Sequence, residues 1–174
     1  MGNYVENFDE LIVGESAGPV TITTSEEARL AALALATQAR RSLHIFSRDL
    51  DAPLFDNVPF VDAVAGVAAR SRNTFVHILL QDANRVVNQG HRLLELGYRL
   101  DSKIKMRKPH PDYQHFNEAF LIADETGLIH RRPGDRYDGI VDFSARREAR
   151  ELVKFFSDVW ERSAPDPGLR RLHL

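Results

Sequence analysis

Residues 119–132 read AFLIADETGLIHRR. The apolar run that follows Glu118 ends at Asp124, and the turn Glu125-Thr126-Gly127 leads directly into a second apolar run that ends at Arg131. Short apolar runs bounded by turn residues are typical of strands, and a connection this short favours antiparallel pairing. The stretch therefore predicts a β-hairpin over residues 118–131.

Strands and helices alternate on both sides of this hairpin, which is the order of an α/β fold. The elements before it are a helix from the Ser25 cap to Arg40 and Arg41, a strand at Ser42–Arg48, a loop at Asp49–Asn57, a helix with the apolar stripe Phe60, Val61, Val64, Val67 and Ala68, a strand at Thr74–Leu80, a helix at Asn84–Leu100 and a strand at Lys103–Arg107. After it come a strand at Gly139–Phe143 and a helix capped by Ser144 with the stripe Leu152, Val153, Phe156, Val159 and Trp160. The first two crossovers favour right-handed, parallel connections. We expect a mixed, mostly parallel sheet with helices on both faces.

Length and composition favour one globular domain over residues 1–174, with a lead segment at 1–24 and a tail at 164–174. The chain is 43% hydrophobic and 28% charged, in the range of folded proteins. No apolar run reaches the roughly 18 residues of a membrane span. The start, MGNYVENFDE, lacks the basic and then apolar pattern of a signal peptide, which predicts a cytoplasmic protein.

The residue types favour neither a cofactor nor a metal. The chain has no cysteine, so disulfides and thiolate sites are excluded. His44 and His77 are isolated in strands, and Asp49, Asp51 and Asp56 lack the spacing of a calcium loop. The net charge is −2, but residues 88–174 carry 16 Lys or Arg against 14 Asp or Glu, so an anion site is expected in the second half.

Several phrases together resemble one half of the phospholipase D superfamily, in a bacterial branch. They are RSLHIFSR at 41–48, TFVHILLQD at 74–82, the hairpin AFLIADETGLIHRR, and FFSDVWERS at 155–163. The resemblance covers about residues 40–163 and implies a phospholipase D-like sheet. Family members with one copy of the catalytic signature pair as dimers, so it also implies a homodimer.

The signature of that family is His, any residue, Lys, four residues and Asp. Anchoring it on Asp124 places Asn117 at the histidine position and Ala119 at the lysine position. In the family the histidine attacks phosphorus and the lysine binds phosphate oxygens. An amide is not a nucleophile and a methyl group carries no charge, so the resemblance implies a pseudoenzyme without catalytic residues.

His115 is the alternative nucleophile. It lies two residues before Asn117, hence on the same face if the strand extends that far. A shifted register would bring it into the site with Asp124, whereas a loop position leaves it exposed. Asp124 itself is interpreted as a cap that binds backbone amides at the hairpin turn.

Six residues are candidates for ligand binding. Lys103, Lys105 and Arg107 alternate along one strand, Arg131 and Arg136 follow the hairpin, and Asn117 holds the signature position; the set is Lys103, Lys105, Arg107, Asn117, Arg131 and Arg136. Such a set could form a basic groove for a phosphate-bearing ligand. The alternative is that a row of basic residues only protects an edge strand from pairing with other chains.

Three functions remain open. The first is a non-catalytic binding or regulatory domain, for a phosphate-bearing ligand or a protein partner. The second is a divergent phosphodiesterase or nuclease that uses His115, which requires a buried histidine beside Asp124. The third is an accessory domain of a separate enzyme such as an acetyltransferase. A nucleic-acid binder predicts a basic surface with exposed aromatic residues such as Tyr113 and Tyr137.

Overall fold

The secondary structure keeps the predicted order of elements. The computed structural model describes residues 7–133 and 136–169, so the ends of the predicted lead and tail, at 1–6 and 170–174, lie outside the described residues. The elements are β1 (Val20–Ile22), α1 (Ser25–Gln38), β2 (Ser42–Ser47), α2 (Ala52–Phe55), α3 (Val58–Arg70), β3 (Phe75–Leu80), α4 (Asn84–Gln89), α5 (Arg92–Arg99), β4 (Ile104–Arg107), β5 (Ala119–Ala123), β6 (Gly127–Arg131), β7 (Gly139–Asp142) and α6 (Arg146–Glu161). Short 3₁₀ turns lie at Phe8–Glu10, Pro111–Tyr113 and Pro167–Leu169.

In the described residues the strands form one mixed sheet in the order β1-β7-β6-β5-β2-β3-β4. The two predicted crossovers are parallel, pairing β2 with β3 and β3 with β4. The expectation of a mostly parallel sheet is wrong, because the other four pairings are antiparallel. A parallel pair needs a long crossover, whereas β5, β6 and β7 follow one another through short connections that reverse the chain.

The sheet separates two apolar layers. One lies under α1, α2, α3 and α5 and includes Leu43 and Ile45 of β2. The other lies under α6 and includes Phe46. All six residues of β2 are buried, because this strand is covered on both faces. The expected helices on both faces are therefore present.

Local chemistry moves several helix boundaries. Thr24, not Ser25, caps α1, and Glu27 completes a capping box by bonding back to the Thr24 amide. The helix predicted over 84–100 is two helices, separated at Gly90 with φ +76°. A left-handed glycine ends a helix at little steric cost, so the apolar pattern continues while the helix does not.

The segment before α1 contributes to the sheet. β1 pairs antiparallel with β7, and the Gln38 side chain bonds the backbone of Leu11 and Val13 at 2.8 Å each. Among the described residues no helix is long and apolar enough to cross a membrane.

An aromatic cluster holds α6 on the sheet. His44 of β2 contacts the Phe156 ring of α6 with centroids 4.9 Å apart, and His77 of β3 stacks on Trp160 at 4.3 Å. His44 is only 5% exposed, and its Nδ1 has no hydrogen-bond partner in the described part of the chain. Burial, with the nearby His77 charge as a smaller cause, lowers the pKa of His44 to about 4. Burial, together with Lys105 and Arg107, lowers the pKa of His77 to about 4.

These histidines predict an acid-sensitive attachment of α6. Both pKa values lie below the unfolded value of about 6.5, so the unfolded chain binds more protons between about pH 6.5 and pH 4. Stability is therefore complete above about pH 6.5 and falls as the pH drops towards 4. For His44 the loss is about 3 kcal/mol at the low end of this range. The measurement is urea unfolding across the range.

The matched variants are His44→Phe and, at an exposed loop position, His115→Phe. We expect His44→Phe to flatten the decline because it removes the titrating group and the unpaired nitrogen together. His115→Phe should leave the decline unchanged. Equal pH dependence for wild type and His44→Phe would show that His44 does not control it.

Candidate functional site

The functional positions meet at one edge of the sheet, which we name the carboxyl edge. It is formed by the last residues of β2, β3 and β6 and the first residue of β5: Ser47, Leu80, Arg131 and Ala119. The antiparallel register places Phe120 opposite Phe46 and Ala119 opposite Arg131, which brings these ends together. In α/β sheets this is the edge at which ligands usually bind.

The loop before β5 is fastened to this edge by two side chains. Arg48, after β2, donates to the carbonyls of Gln114 and Phe116 at 3.4 and 3.3 Å. Gln81, after β3, donates to the Phe116 carbonyl at 3.0 Å. The position of Asn117 is therefore set by the ends of two neighbouring strands.

Asn117 and Ala119 lie at the start of β5. Asn117 is exposed just before β5, and Ala119 is buried as the first residue of the strand. Within the strand, Ala119 shares a face with Leu121, which belongs to the layer under α1, α2, α3 and α5. Neither position offers a nucleophile or a cation.

Arg131 brings a positive charge next to Ala119 from the neighbouring strand. It stands directly opposite Ala119 in the β5–β6 register and is 3% exposed. Its guanidinium donates to the Arg136 carbonyl at 3.0 Å and lies 5.7 Å from the centre of the Tyr137 ring. Burial lowers the pKa of Arg131, and Asp51 opposes that effect.

Among the described residues, Asp51 is the carboxylate nearest to this guanidinium. Its Oδ2 lies 3.7 Å from the Arg131 nitrogen, and its Oδ1 accepts a hydrogen bond from the Tyr137 hydroxyl at 3.2 Å. Burial raises the pKa of Asp51, while Arg131 and then Tyr137 act to lower it. Burial and the Asp51 carboxylate raise the pKa of Tyr137. Asp51, Arg131 and Tyr137 form one polar cluster at the carboxyl edge, in which Arg131 is buried and the other two are partly exposed.

His115 and Asp124 do not meet. His115 is exposed in the loop before β5, where its ring contacts the Gln114 amide at 3.3 Å. Asp124 follows the far end of β5, roughly 16 Å from Ala119 at the rise of an extended strand. The second function requires a buried histidine beside Asp124, and the structure does not place one there.

Asp124 joins the two halves of the sheet. Its carboxylate accepts hydrogen bonds from the backbone amides of Arg40, Arg41 and Ser42, at 2.9, 2.7 and 3.1 Å. Arg40 and Arg41 precede β2, and Ser42 is its first residue. The sequence had suggested that Asp124 caps the amides of its own hairpin turn. In the structure it caps the α1–β2 connection instead.

The predicted basic residues do not share one surface. The Lys103 ammonium donates to the carbonyls of Ser71, Arg72 and Thr74 at 2.6, 2.7 and 3.2 Å, after α3. Lys105 is exposed on β4, opposite His77. The Arg107 guanidinium lies 4.4 Å from the Trp160 ring centre, under the end of α6.

The other basic candidates lie elsewhere. Arg131 faces the opposite side of the sheet, and Arg136 is exposed in the loop between β6 and β7. Since β4 and β6 are separated by three strands, a single groove through all these residues is not formed.

A second polar group at the carboxyl edge was missed by the sequence analysis. Glu118 lies 2.9 Å from His130 Nε2 and 3.4 Å from Arg132 Nε, on the α6 side of the sheet. Arg132 Nε also lies 3.2 Å from His130 Nε2, so this nitrogen bonds Glu118 when it carries the proton and accepts from Arg132 when it does not. Side chains alternate between the two faces of β5 and β6. With the two strands aligned in register, this alternation would have placed Glu118 and His130 on the same face.

An open groove lies near the end of β4, beside the loop that precedes β5. It holds about 540 Å³ and is lined by prolines, Tyr113, Gln81 and Arg162. Arg162 is held by Asp112 at 2.7 Å. None of the six predicted ligand residues lines this groove.

A family described as "Domain of unknown function (DUF7931)" matches residues 24–172. The chain belongs to the DUF7931 family. No curated protein matches it. The match begins at the Thr24 cap of α1 and so includes every strand except β1.

Solved structures share this fold at low sequence identity. TrmBL2, an archaeal chromatin protein that binds DNA, has 16% identity and a TM-score of 0.64, over 90% of this chain and 56% of its own. NucT from Helicobacter pylori has 14% identity and a TM-score of 0.60, over 86% of this chain and 99% of its own. The phospholipase D family member Nuc from Salmonella typhimurium has 16% identity and a TM-score of 0.56, over 84% and 97%.

These comparisons confirm the predicted phospholipase D-like α/β fold. The DUF7931 chain spans nearly the whole of Nuc and NucT, but only about half of TrmBL2.

The Asp124 contacts predict a structural role that can be measured. Asp124→Ala leaves three backbone amides without their acceptor, so we expect a loss of about 2–3 kcal/mol of unfolding free energy. Asp124→Asn keeps one acceptor oxygen and should lose less. The measurement is urea unfolding at neutral pH. Asp158→Ala, which removes an exposed carboxylate from α6, is the control and should change little. An Asp124→Ala protein as stable as the control would contradict the capping role.

Proposed function

We propose that this DUF7931 domain is a non-catalytic phospholipase D-like module that binds a phosphate-bearing ligand at the carboxyl edge. The observation that carries the proposal is the pairing of Ala119 with Arg131. The positions of the family nucleophile and cation hold Asn117 and Ala119, yet a buried arginine lies directly opposite. The edge thus lacks the chemistry for phosphoryl transfer but keeps a positive charge.

Exposed arginines surround this edge. We name Arg48, Arg85, Arg132 and Arg136 the rim arginines; they follow β2, β3 and β6 and are all exposed. Arg85 and Arg132 are paired with Asp49 and Glu118, at 3.3 and 3.4 Å. Exposed pairs of this kind are weak, so a phosphate can compete for the arginine at modest cost.

DNA is the first ligand to test. TrmBL2, which shares the fold, is a chromatin protein that binds DNA. A polyanion would engage several rim arginines together, and phosphate contacts dominate such binding. There are two alternatives: the domain binds a protein partner, or it is an accessory domain of a separate enzyme such as an acetyltransferase. We also propose that the protein is bacterial and that it acts in the cytoplasm.

The binding test uses a short fluorescein-labelled DNA duplex and fluorescence anisotropy. We expect saturable binding that weakens with salt, and a log–log salt slope reduced by about one when Arg132 or Arg136 is changed to Gln. Arg147→Gln is the matched control, because Arg147 is 92% exposed at the start of α6, away from the carboxyl edge. Absence of binding, or equal weakening by the control, would contradict a DNA site at the rim.

The catalytic test uses a chromogenic phosphodiester and pure protein. We expect no turnover above background, because removal of one oxyanion donor alone costs about 10²–10³-fold in other enzymes and the nucleophile is also missing. His115→Ala is assayed alongside. Turnover abolished by that substitution would replace this proposal with the divergent phosphodiesterase. Turnover that persists in the variant would point to a contaminant or to another site.

The resemblance to single-copy family members also leads us to propose a homodimer. Its interface would cover the carboxyl edge, where two copies bring their Asn117 positions together. Light scattering should give twice the mass of the 19.7 kDa chain. The protein concentration should be about tens of micromolar, because weak interfaces form in that range. A monomer at that concentration would refute the dimer without affecting the binding test.

A further inference from the structure

Arg131 is a buried cation with few partners. A guanidinium has five N–H donors, yet among the described residues the Arg131 side chain donates one hydrogen bond, to the Arg136 carbonyl. The Asp51 carboxylate lies at 3.7 Å, whereas a charge-assisted hydrogen bond is about 2.7–2.9 Å long. The buried charge is therefore balanced by a carboxylate that does not bond it closely.

The space beside Ala119 is closed in this arrangement. The gap lined by Ala119, Arg131, Leu54 and Phe55 holds about 10 Å³, which is at or below the room for a single water. A phosphate cannot enter there while α2 keeps its place. Access to the guanidinium requires Asp51, which immediately precedes α2, to move.

The backbone next to Asp51 is strained. Leu50 has φ +53°, a left-handed conformation that is costly for a large side chain. It is held by the Ser47 hydroxyl, which accepts from its amide at 3.0 Å, and by His91 Nε2, which lies 2.9 Å from its carbonyl.

We propose that Arg131 is a phosphate site which the chain's own Asp51 keeps occupied, and that a phosphate-bearing ligand binds by displacing this carboxylate. The proposal rests on the proposed function and specifies how its site is controlled. The Tyr137 hydroxyl holds Asp51 in the closed arrangement through its 3.2 Å hydrogen bond. Leu54 and Phe55 of α2 move with Asp51 and open the space next to Ala119.

The test compares the affinity for inorganic phosphate, measured by calorimetry, in wild type and in Asp51→Asn. The amide retains the shape and the acceptor for Tyr137 but removes the competing charge. We expect at least about 10-fold tighter phosphate binding in Asp51→Asn, and loss of this gain when Arg131→Gln is added. Asp56→Asn is the matched control, because it removes a carboxylate that is paired with Arg92 at the other end of α2. It should leave phosphate affinity unchanged.

A second variant protects the test against a folding defect. Tyr137→Phe keeps the Asp51 charge but removes its hydrogen bond, so we expect a smaller gain in affinity in the same direction. Circular dichroism checks that each variant is folded.

The outcomes separate the two proposals. Equal phosphate affinity in wild type, Asp51→Asn and Tyr137→Phe, with DNA binding at the rim intact, overturns the Asp51 displacement and leaves the proposed function standing. Absence of both phosphate and DNA binding in every variant overturns both. If Asp51→Asn still binds phosphate more tightly after Arg131→Gln is added, the phosphate binds elsewhere. That result also overturns the assignment of the phosphate site to Arg131.

Discussion

The antiparallel pairing of β2 with β5 is the constraint on which the rest of the sheet depends. It joins a parallel half, built by crossovers, to an antiparallel half, built by hairpins. The Asp124 carboxylate stabilises this join, because it accepts hydrogen bonds from three backbone amides at the start of β2. Once this end of β5 is set, the pleat determines which side chains reach the carboxyl edge and which face they take.

The local patterns were enough to predict most of the elements. The five apolar residues of the α3 stripe are all buried, and so are three of the five predicted for α6. The antiparallel hairpin of β5 and β6 was predicted, but the antiparallel pairings of β2 with β5 and of β7 with its neighbours were not, since an apolar strand can pair in either direction. The break at Gly90 also escaped notice, because the apolar pattern continues across it while only the backbone changes hand.

The sequence predicted only part of the site, because strand register brings its residues together and spacing in the sequence does not show it. Asp51, Arg131 and Tyr137 are brought together from two distant stretches, and no spacing in the sequence links the first to the others. Conversely, Lys103, Lys105 and Arg107 are close in sequence but have separate roles. Lys103 caps a helix end, Lys105 is exposed on an edge strand, and Arg107 covers Trp160. Charge clustering in sequence was therefore a weak guide to charge clustering in space.

The two ends of β5 carry different physical demands. At the far end Asp124 supports the fold, because its carboxylate accepts hydrogen bonds from three backbone amides at the start of β2. At the near end Asn117 is exposed and Ala119 needs only to be small, so neither has to be a histidine or a lysine for the sheet to form. The sheet can thus form with Asp124 at one end of β5 and without a histidine at position 117 or a lysine at position 119. The presence of Asp124 is evidence for the fold, whereas the chemistry must be judged from the residues at the other end of the strand.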